Sequence, residues 1–202
     1  MLTDSVKTQL KKEFGSMKNP VILSFRKDNS KLSEKIAKFL SELSKLSNKI
    51  LINNDELNLS CHGDPCIVIT KKNSKPRIRF MAVPEEGVFK AFIKTITMIS
   101  NDKHDLSKRT IGFLNDLNQK IEIKVFITKN CGWCPPTMLK MFSFSVYSQY
   151  IETTAIDCYT FPEIAQKYNV VGVPKVIIND KVEFVGFKEE NEVLGHIFGA
   201  IN

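Results

Sequence analysis

Cys131-Gly132-Trp133-Cys134 is preceded by the apolar run Ile121 to Thr128 and followed at once by Pro135 and Pro136. The order reads as strand, short loop, two cysteines and helix, because proline suits a first helical turn whose N–H groups have no partner inside the helix. Those donors, with the positive end of the helix dipole, face the first sulfur and favour thiolate over thiol. Cysteines so placed have pKa values lowered to about 3.5 to 7.5, which makes Cys131 the expected nucleophile near neutral pH. Cys134, one turn inside, is then the resolving thiol that attacks a mixed disulfide and releases the reduced partner. A pair of this spacing is also half of a tetrahedral zinc site, for which Cys61, His62 and Cys66 are the one cluster able to supply further ligands. The four residues between Cys61 and Cys66 do not match the spacing of the first pair. Trp133, the sole tryptophan, reads either as an apolar plate beside the nucleophile that holds a partner surface or as simple shape filling.

The rest of the chain sets bounds on this chemistry. With 202 residues, 43% hydrophobic and 25% charged, it has ordinary globular composition. No run approaches the roughly 18 apolar residues of a membrane span, and Met1 to Asn19 is too polar and lysine-rich for a signal peptide, so a cytoplasmic protein is expected. In that compartment paired cysteines serve catalysis, redox sensing or metal binding more often than stapling. Up to Lys120 there are 22 Lys or Arg against 13 Asp or Glu, a balance of +9, whereas Ile121 to Asn202 has 7 against 9, a balance of −2. The basic half carries its lysines along amphipathic segments with no nucleic-acid motif. It therefore reads as a solvated surface or a docking face for an acidic protein, and no nucleic-acid partner is expected. No Gly-x-Gly-x-x-Gly fingerprint occurs, so no flavin, nicotinamide or metal is expected to be bound, the reversible Cys131–Cys134 disulfide being the one redox group.

Sliding the sequence over itself by 101 positions lays Asp4 on Asp105, Lys7 on Lys108, Leu10 on Ile111, Phe25 on Phe126 and Asn29 on Asn130. The same shift lays Ser30 on Cys131 and Ser33 on Cys134, so two units with one order of elements are expected, residues 1–102 without redox cysteines and 103–202 with them. In the first, a helix from Asp4 to Phe14 capped by Thr3 or Asp4 leads to a strand Val21 to Phe25. Leu32, Ile36, Phe39, Leu40, Leu43 and Leu46 recur at spacings of three and four, one face of a helix ending near Asn48. A strand Lys49 to Ile52, an irregular stretch to Pro65, two strands Cys66 to Thr70 and Arg77 to Ala82, and a helix Glu85 to Ser100 complete it. The second unit repeats the order: a helix Leu106 to Leu117, the strand before Cys131, a helix through Met138, Phe142 and Val146, and a strand Tyr150 to Ile156. A short helix Pro162 to Tyr168, strands Lys175 to Ile178 and Val182 to Val185, and a helix Glu189 to Ile201 follow. The expected fold is α/β: two tandem units, each a central mixed four-stranded sheet flanked by helices, packed side by side.

A strand, Cys-x-x-Cys at a helix start, and Val173-Pro174 feeding a hairpin and closing helix resemble the thioredoxin and glutaredoxin fold. Two such units resemble the glutaredoxin-like protein disulfide oxidoreductases, and more closely the amino-terminal domain of the alkyl hydroperoxide reductase flavoprotein subunit. The opening Met1 to Leu10, the Ala155-Ile156-Asp157 and Thr160-Phe161 segment and Asn169 to Pro174 carry that second likeness. The resemblance implies that Cys131 is the nucleophile, Cys134 the resolving cysteine, and Pro174 a cis-proline whose neighbour Val173 pairs its backbone with an extended substrate. Pro65 holds the corresponding place in the first unit. Thioredoxins proper have a buried carboxylate six residues before the first cysteine where this chain has Val125, and glutaredoxins usually have Pro-Tyr where it has Gly132-Trp133. A carboxylate assisting Cys134 would come from Glu85 or Glu86.

The implied function is a dithiol-disulfide oxidoreductase that takes electrons from a flavoprotein disulfide reductase and passes them to a peroxiredoxin or another disulfide-containing protein. A protein disulfide isomerase or oxidase, and a non-catalytic redox-sensing or zinc-held adaptor, are the alternatives. Cys66 reads as a small hydrophobe at the start of a buried strand, with a Cys61–Cys66 disulfide left open, and Cys61 and Cys158 as loop or strand-end thiols. Ser30 reads as a helix cap, no histidine lying near it to act as base. His62, His104 and His196 form no constellation.

Overall fold

A computed structural model describes residues 2–53 and 61–201. The first unit runs α1 (Asp4–Phe14), β1 (Val21–Arg26), α2 (Lys31–Ser44), β2 (Ile50–Asn53), β3 (Cys66–Lys71), β4 (Ile78–Met81) and α3 (Glu86–Asn101). The second runs α4 (Lys108–Asn115), β5 (Ile121–Ile127), α5 (Cys134–Tyr147), β6 (Ile151–Asp157), α6 (Pro162–Lys167), β7 (Lys175–Ile178), β8 (Val182–Val185) and α7 (Glu190–Ile201). Each expected element lies within the described residues except part of the irregular stretch before Pro65, of which 54–60 fall outside them. Local chemistry accounts for the boundaries. Thr3, Ser30 and Ser107 each accept an N–H bond from three residues on, which begins α1, α2 and α4. Asp102 in the left-handed conformation, φ 50°, ends α3.

The two expected four-stranded sheets are fused into one of eight strands, in the order β2-β1-β3-β4-β6-β5-β7-β8. The joint is a parallel pairing of β4 with β6, Ile78 opposite Thr153 through Met81 opposite Ile156. Side-by-side packing is thus edge-to-edge, which satisfies backbone groups that two separate sheets would leave bare. Only β3 and β7 run against the rest. The ends of β1 and β5 and the starts of β3 and β7 therefore share one rim.

Alternation along the strands divides the core between two faces. One carries the large cluster, including Leu23, Phe25, Ile67, Phe80, Ile123, Val125 and Ile127, under Ile36 and Leu40 of α2, Phe92 of α3 and Met138 and Phe142 of α5. The other carries Cys66, Val68, Met81, Phe126, Ile156 and Ile177, against which Phe161, Ile164 and Cys61 pack. This second face also carries paired charges, at the rim where Lys175 bonds Glu183 at 2.9 Å and farther from it where Arg79 bonds Glu152 at 3.0 Å and Lys124 bonds Asp180 at 2.8 Å and also Glu122. Burial works against the charge on Lys124, but its hydrogen bonds to Asp180 and Glu122 outweigh that and raise its pKa.

The alignment of Phe25 with Phe126 does not hold in space, since Phe25 lies in the first cluster and Phe126 in the second. Strand register relates Val21 to Ile121, because Val21 faces Ile50 and Ile121 faces Ile151. The 101-residue shift holds at the helix starts instead. Ser30 Oγ accepts from the Ser33 N–H at 3.2 Å and Cys131 Sγ from the Cys134 N–H at 3.1 Å.

Helices α3 and α5 pack against each other across the joint. At the start of α3, a Cβ added to Gly87 would lie 2.6 Å from the backbone oxygen of Lys129, whereas one added to exposed Gly112 in α4 would meet nothing within 4 Å. Gly87→Ala is therefore expected to cost about 1 to 3 kcal/mol by overpacking. Gly112→Ala, by contrast, should gain up to about 1 kcal/mol of helix propensity. Urea unfolding of both variants checks this, and equal effects would show that α3 does not approach Lys129 as described.

Candidate active site

The strand β5 carries the chain to the rim, and Thr128 to Trp133 form the loop that turns it into α5. Cys134 is the first residue of that helix, with Pro135 in its first turn, so the helix opens one residue earlier than expected. Cys131 is partly exposed and Cys134 is 0% exposed, and the two form a disulfide with 5.4 Å between their Cα atoms. An incoming group thus meets Cys131 first. The N–H of Cys134 points at Cys131 Sγ, the donor that would stabilise a thiolate there once the bond opens.

Opposite the sulfur stands the Val173–Pro174 segment, whose peptide bond is cis. The Val173 carbonyl oxygen lies 3.8 Å from Cys131 Sγ, so the backbone expected beside the cysteines is beside them. Trp133 is 64% exposed, and its ring centroid lies 5.7 Å from that of Phe187. Lys140 Nζ stands 4.4 Å from the centroid of the Phe187 ring and 3.0 Å from Glu189, which holds Phe187 in place. Exposed Val171 and Val185 extend the apolar rim, at 98% and 53%. Phe187, Val171 and Val185 were not identified as site residues from sequence. The signal for Phe187 was its place directly after Gly186 at the end of the hairpin.

Glu85 and Glu86 reach the site but not Cys134. Glu86 bonds Lys129 at 3.0 Å and Glu85 bonds Lys35 at 2.5 Å. The hydrogen bond that Lys129 donates to Glu86 raises the lysine's pKa, so a firm positive charge stands two residues before Cys131. In the first unit the corresponding residue is Asp28, which bonds Ser30 and, at 2.6 Å, Ser33 Oγ. Those hydroxyls lower its pKa. Ser30 caps α2 as expected, and where the second unit offers a lysine and two sulfurs the first offers a carboxylate and two hydroxyls.

The remaining cysteines do not join this site. Cys61 and Cys66 form a second disulfide, with 6.5 Å between Cα atoms, so Cys66 is not merely a small hydrophobe. Cys66 and Cys134 lie in clusters on opposite faces of the sheet, so the residues a shared zinc site would draw on are not brought together. His62 stands 3.0 Å from Glu122, and His196 stacks on Phe184. Among the described residues no helix is long and apolar enough to cross a membrane.

Residues 121–198 match the family described as Thioredoxin domain. The NTD_N/C domain of alkylhydroperoxide reductase AhpF from Enterococcus faecalis (V583) superposes with a TM-score of 0.87 at 19% identity, over 98% of this chain and 100% of that one. The fold is the thioredoxin fold. A protein disulfide oxidoreductase from Aeropyrum pernix K1 shares it, with a TM-score of 0.83 at 21% identity over 98% of this chain and 92% of that one. In sequence, the thioredoxin-fold chain is 28% identical over 181 residues to the F component of alkyl hydroperoxide reductase from Escherichia coli K12, which is 90% of this chain and 34% of that protein. The likeness read from the residues is thus a likeness of the whole tandem fold, and this chain spans about a third of the length of the curated relatives it matches.

Cys158, the one free cysteine among the described residues, has its thiol pushed up to about 11, first by burial and then by Asp157. At pH 8 only about a thousandth of it would be thiolate. After brief reduction of the native protein, iodoacetamide should modify Cys131 within minutes and leave Cys158 untouched, with the Cys158 rate rising tenfold per pH unit until near pH 11. Peptide mass spectrometry reads both, and equal labelling at pH 8 would overturn the assignment.

Proposed function

We propose that the protein is a dithiol-disulfide oxidoreductase acting in the cytoplasm, with Cys131 as nucleophile, Cys134 as resolving thiol, and Trp133, Val173 and Pro174 as the surface that receives the substrate. The observation that carries it is the Cys131–Cys134 disulfide at the start of α5, its partly exposed sulfur capped by an N–H and faced by the Val173 carbonyl. In the reduced protein the Cys131 thiolate attacks a partner disulfide, forming a mixed disulfide and expelling one partner sulfur as thiolate. Cys134, deprotonated, then attacks Cys131 Sγ and expels the second. Two electrons have moved to the partner, and a donor dithiol restores Cys131 and Cys134 by the reverse sequence. An extended substrate strand fits the backbone of Val173, as in strand addition to an exposed edge.

The donor we propose is a flavoprotein disulfide reductase and the acceptor a peroxiredoxin-type or other disulfide protein. The likeness to the F component of alkyl hydroperoxide reductase supports this assignment. We place the unit boundary at residues 102 and 103, the first unit supporting the second through the β4–β6 seam. No bound cofactor is part of the proposal.

Cys131→Ser should lower insulin-disulfide reduction by at least about a hundredfold, while Cys134→Ser should retain attack and accumulate a mixed disulfide visible on a non-reducing gel. Full activity of Cys131→Ser would sink the proposal. A reduction potential of the Cys131–Cys134 couple near about −270 mV is expected for a reductant, and a value near about −180 mV would instead support the isomerase or oxidase alternative. Trp133 fluorescence in a thiol-redox titration measures it.

A further inference from the structure

The exchange cycle above makes no use of the Cys61–Cys66 disulfide. We propose that Cys61 and Cys66 form a second redox couple, carried by the first unit and opened and closed by exchange with an external dithiol while the fold stays intact.

Its position is the first ground. Cys61-His62-Gly63-Asp64-Pro65-Cys66 and Val170-Val171-Gly172-Val173-Pro174-Lys175 are equivalent segments: each has glycine two residues before a cis-proline and ends on the first residue of a strand. Cys66 faces Arg26 on β1 as Lys175 faces Phe126 on β5. The second unit's segment is the wall against which Cys131 lies. The first unit thus has hydroxyls on its helix wall and sulfurs on its strand wall.

Exposure is the second ground. Cys61 is partly exposed and Cys66 is 0% exposed, the same asymmetry that separates Cys131 from Cys134. One sulfur is open to attack and the other is shielded, which fixes the order of exchange. Arg26 is the residue directly across from Cys66 on the same face, and its guanidinium pairs with Asp64 in the same segment at 2.9 Å.

The third ground is that other contacts already hold what the bond joins. Cys66 belongs to β3, which is paired on both sides by β1 and β4. Asp64 bonds Arg26 at 2.9 Å, and His62 lies 3.0 Å from Glu122. Chiefly through that imidazole the Glu122 carboxyl is held down to about 2, although burial opposes the shift. Gly63 sits under Met81, Phe161 and Ile164. Opening the bond therefore releases no element from the sheet.

The reaction balances with a dithiol as reductant. One of its thiolates attacks Cys61 Sγ, the Cys61–Cys66 bond breaks, and Cys66 leaves as thiolate. The second thiolate of the reductant attacks the mixed disulfide, forming the reductant's own disulfide and releasing Cys61. Two electrons pass to the pair, and solvent protons neutralise the thiolates. The reverse sequence closes it.

The test uses the unmodified chain, because trypsin separates residues 50–71, 130–140 and 141–167 and so reports Cys61 with Cys66, Cys131 with Cys134, and Cys158 in different peptides. The folded protein is equilibrated in mixtures of reduced and oxidised dithiothreitol, acid-quenched, alkylated and mapped, with far-ultraviolet circular dichroism recorded on each sample. We expect Cys61 and Cys66 to be labelled together, their oxidised-to-reduced ratio changing tenfold for each tenfold change in the buffer ratio, with the circular dichroism unchanged. The same titration of a Cys131→Ser, Cys134→Ser variant should give the same curve for residues 50–71, which separates this couple from the one proposed for catalysis. A pair that stays oxidised until denaturant is added, or whose reduction coincides with loss of the circular dichroism signal, is a staple and overturns the proposal. Two free thiols in fully oxidised buffer overturn it as well.

Discussion

The pairing of β4 with β6 is the constraint on which the rest of the structure depends. Either four-stranded sheet alone would present a bare edge strand, a row of backbone donors and acceptors with no partner. Joining the edges in parallel removes that liability and also fixes direction. Since β1 and β5 then run the same way, the loops that follow them open on the same rim. The cis-proline segments, at the starts of β3 and β7, share it. From this one seam follow the packing of α3 on α5 and the approach of Gly87 to the Lys129 backbone two residues from Cys131. The half of the fold without the Cys-x-x-Cys pair is structurally part of the site beside it.

Within that frame, chemistry is decided by a few side chains on nearly identical backbones. Ser30 Oγ and Cys131 Sγ each accept an N–H from three residues on, so both helix starts favour a negative charge nearby. In the first unit Asp28 supplies it, held by Ser30 and Ser33, and the hydroxyls remain neutral donors. In the second the residue at that place is Lys129, and the charge the helix favours falls to Cys131 when the disulfide opens. An aspartate there would compete with the thiolate for the same donors. Under the function proposed above, exchanging carboxylate for lysine and oxygen for sulfur is what separates the helix cap of the first unit from the nucleophile of the second.

The order of elements was legible because hydrophobic spacing and capping residues act locally, and the repeat exposed the tandem design through Ser30 and Cys131. It misplaced the strands by one position because it matched Phe25 to Phe126 by identity. A one-residue slip along a strand exchanges its faces, and the burial of Val21, Leu23 and Phe25 follows Ile121, Ile123 and Val125 instead. The fusion of the two sheets was not legible, since main-chain pairing between edges leaves little mark on side-chain identity. Cys131, Cys134 and Val173 were brought together as their motifs implied. Phe187 escaped notice because its contact with Trp133 is made between residues far apart in sequence. The Cys61–Cys66 bond stayed open because spacing alone does not say whether the backbone between two cysteines doubles back.

Two grooves on one rim raise the question of what keeps their partners apart, and the surfaces around them answer it. Around Cys131 the large apolar side chains Trp133, Val171 and Val185 are exposed, with Phe187 behind the indole and Lys129 at the edge. Around Cys61 and Cys66 the polar groups are held in ion pairs, Arg26 with Asp64 and His62 with Glu122, beside the apolar side chains of Met81, Phe161 and Ile164. An extended apolar segment gains by covering the first set and would have to desolvate the ion pairs of the second without replacing them. A small dithiol covers little of that surface and meets no such penalty at the first unit. Under the two proposals above, selectivity between the sulfur pairs would rest on burial of surface around each groove and would require no difference in backbone geometry.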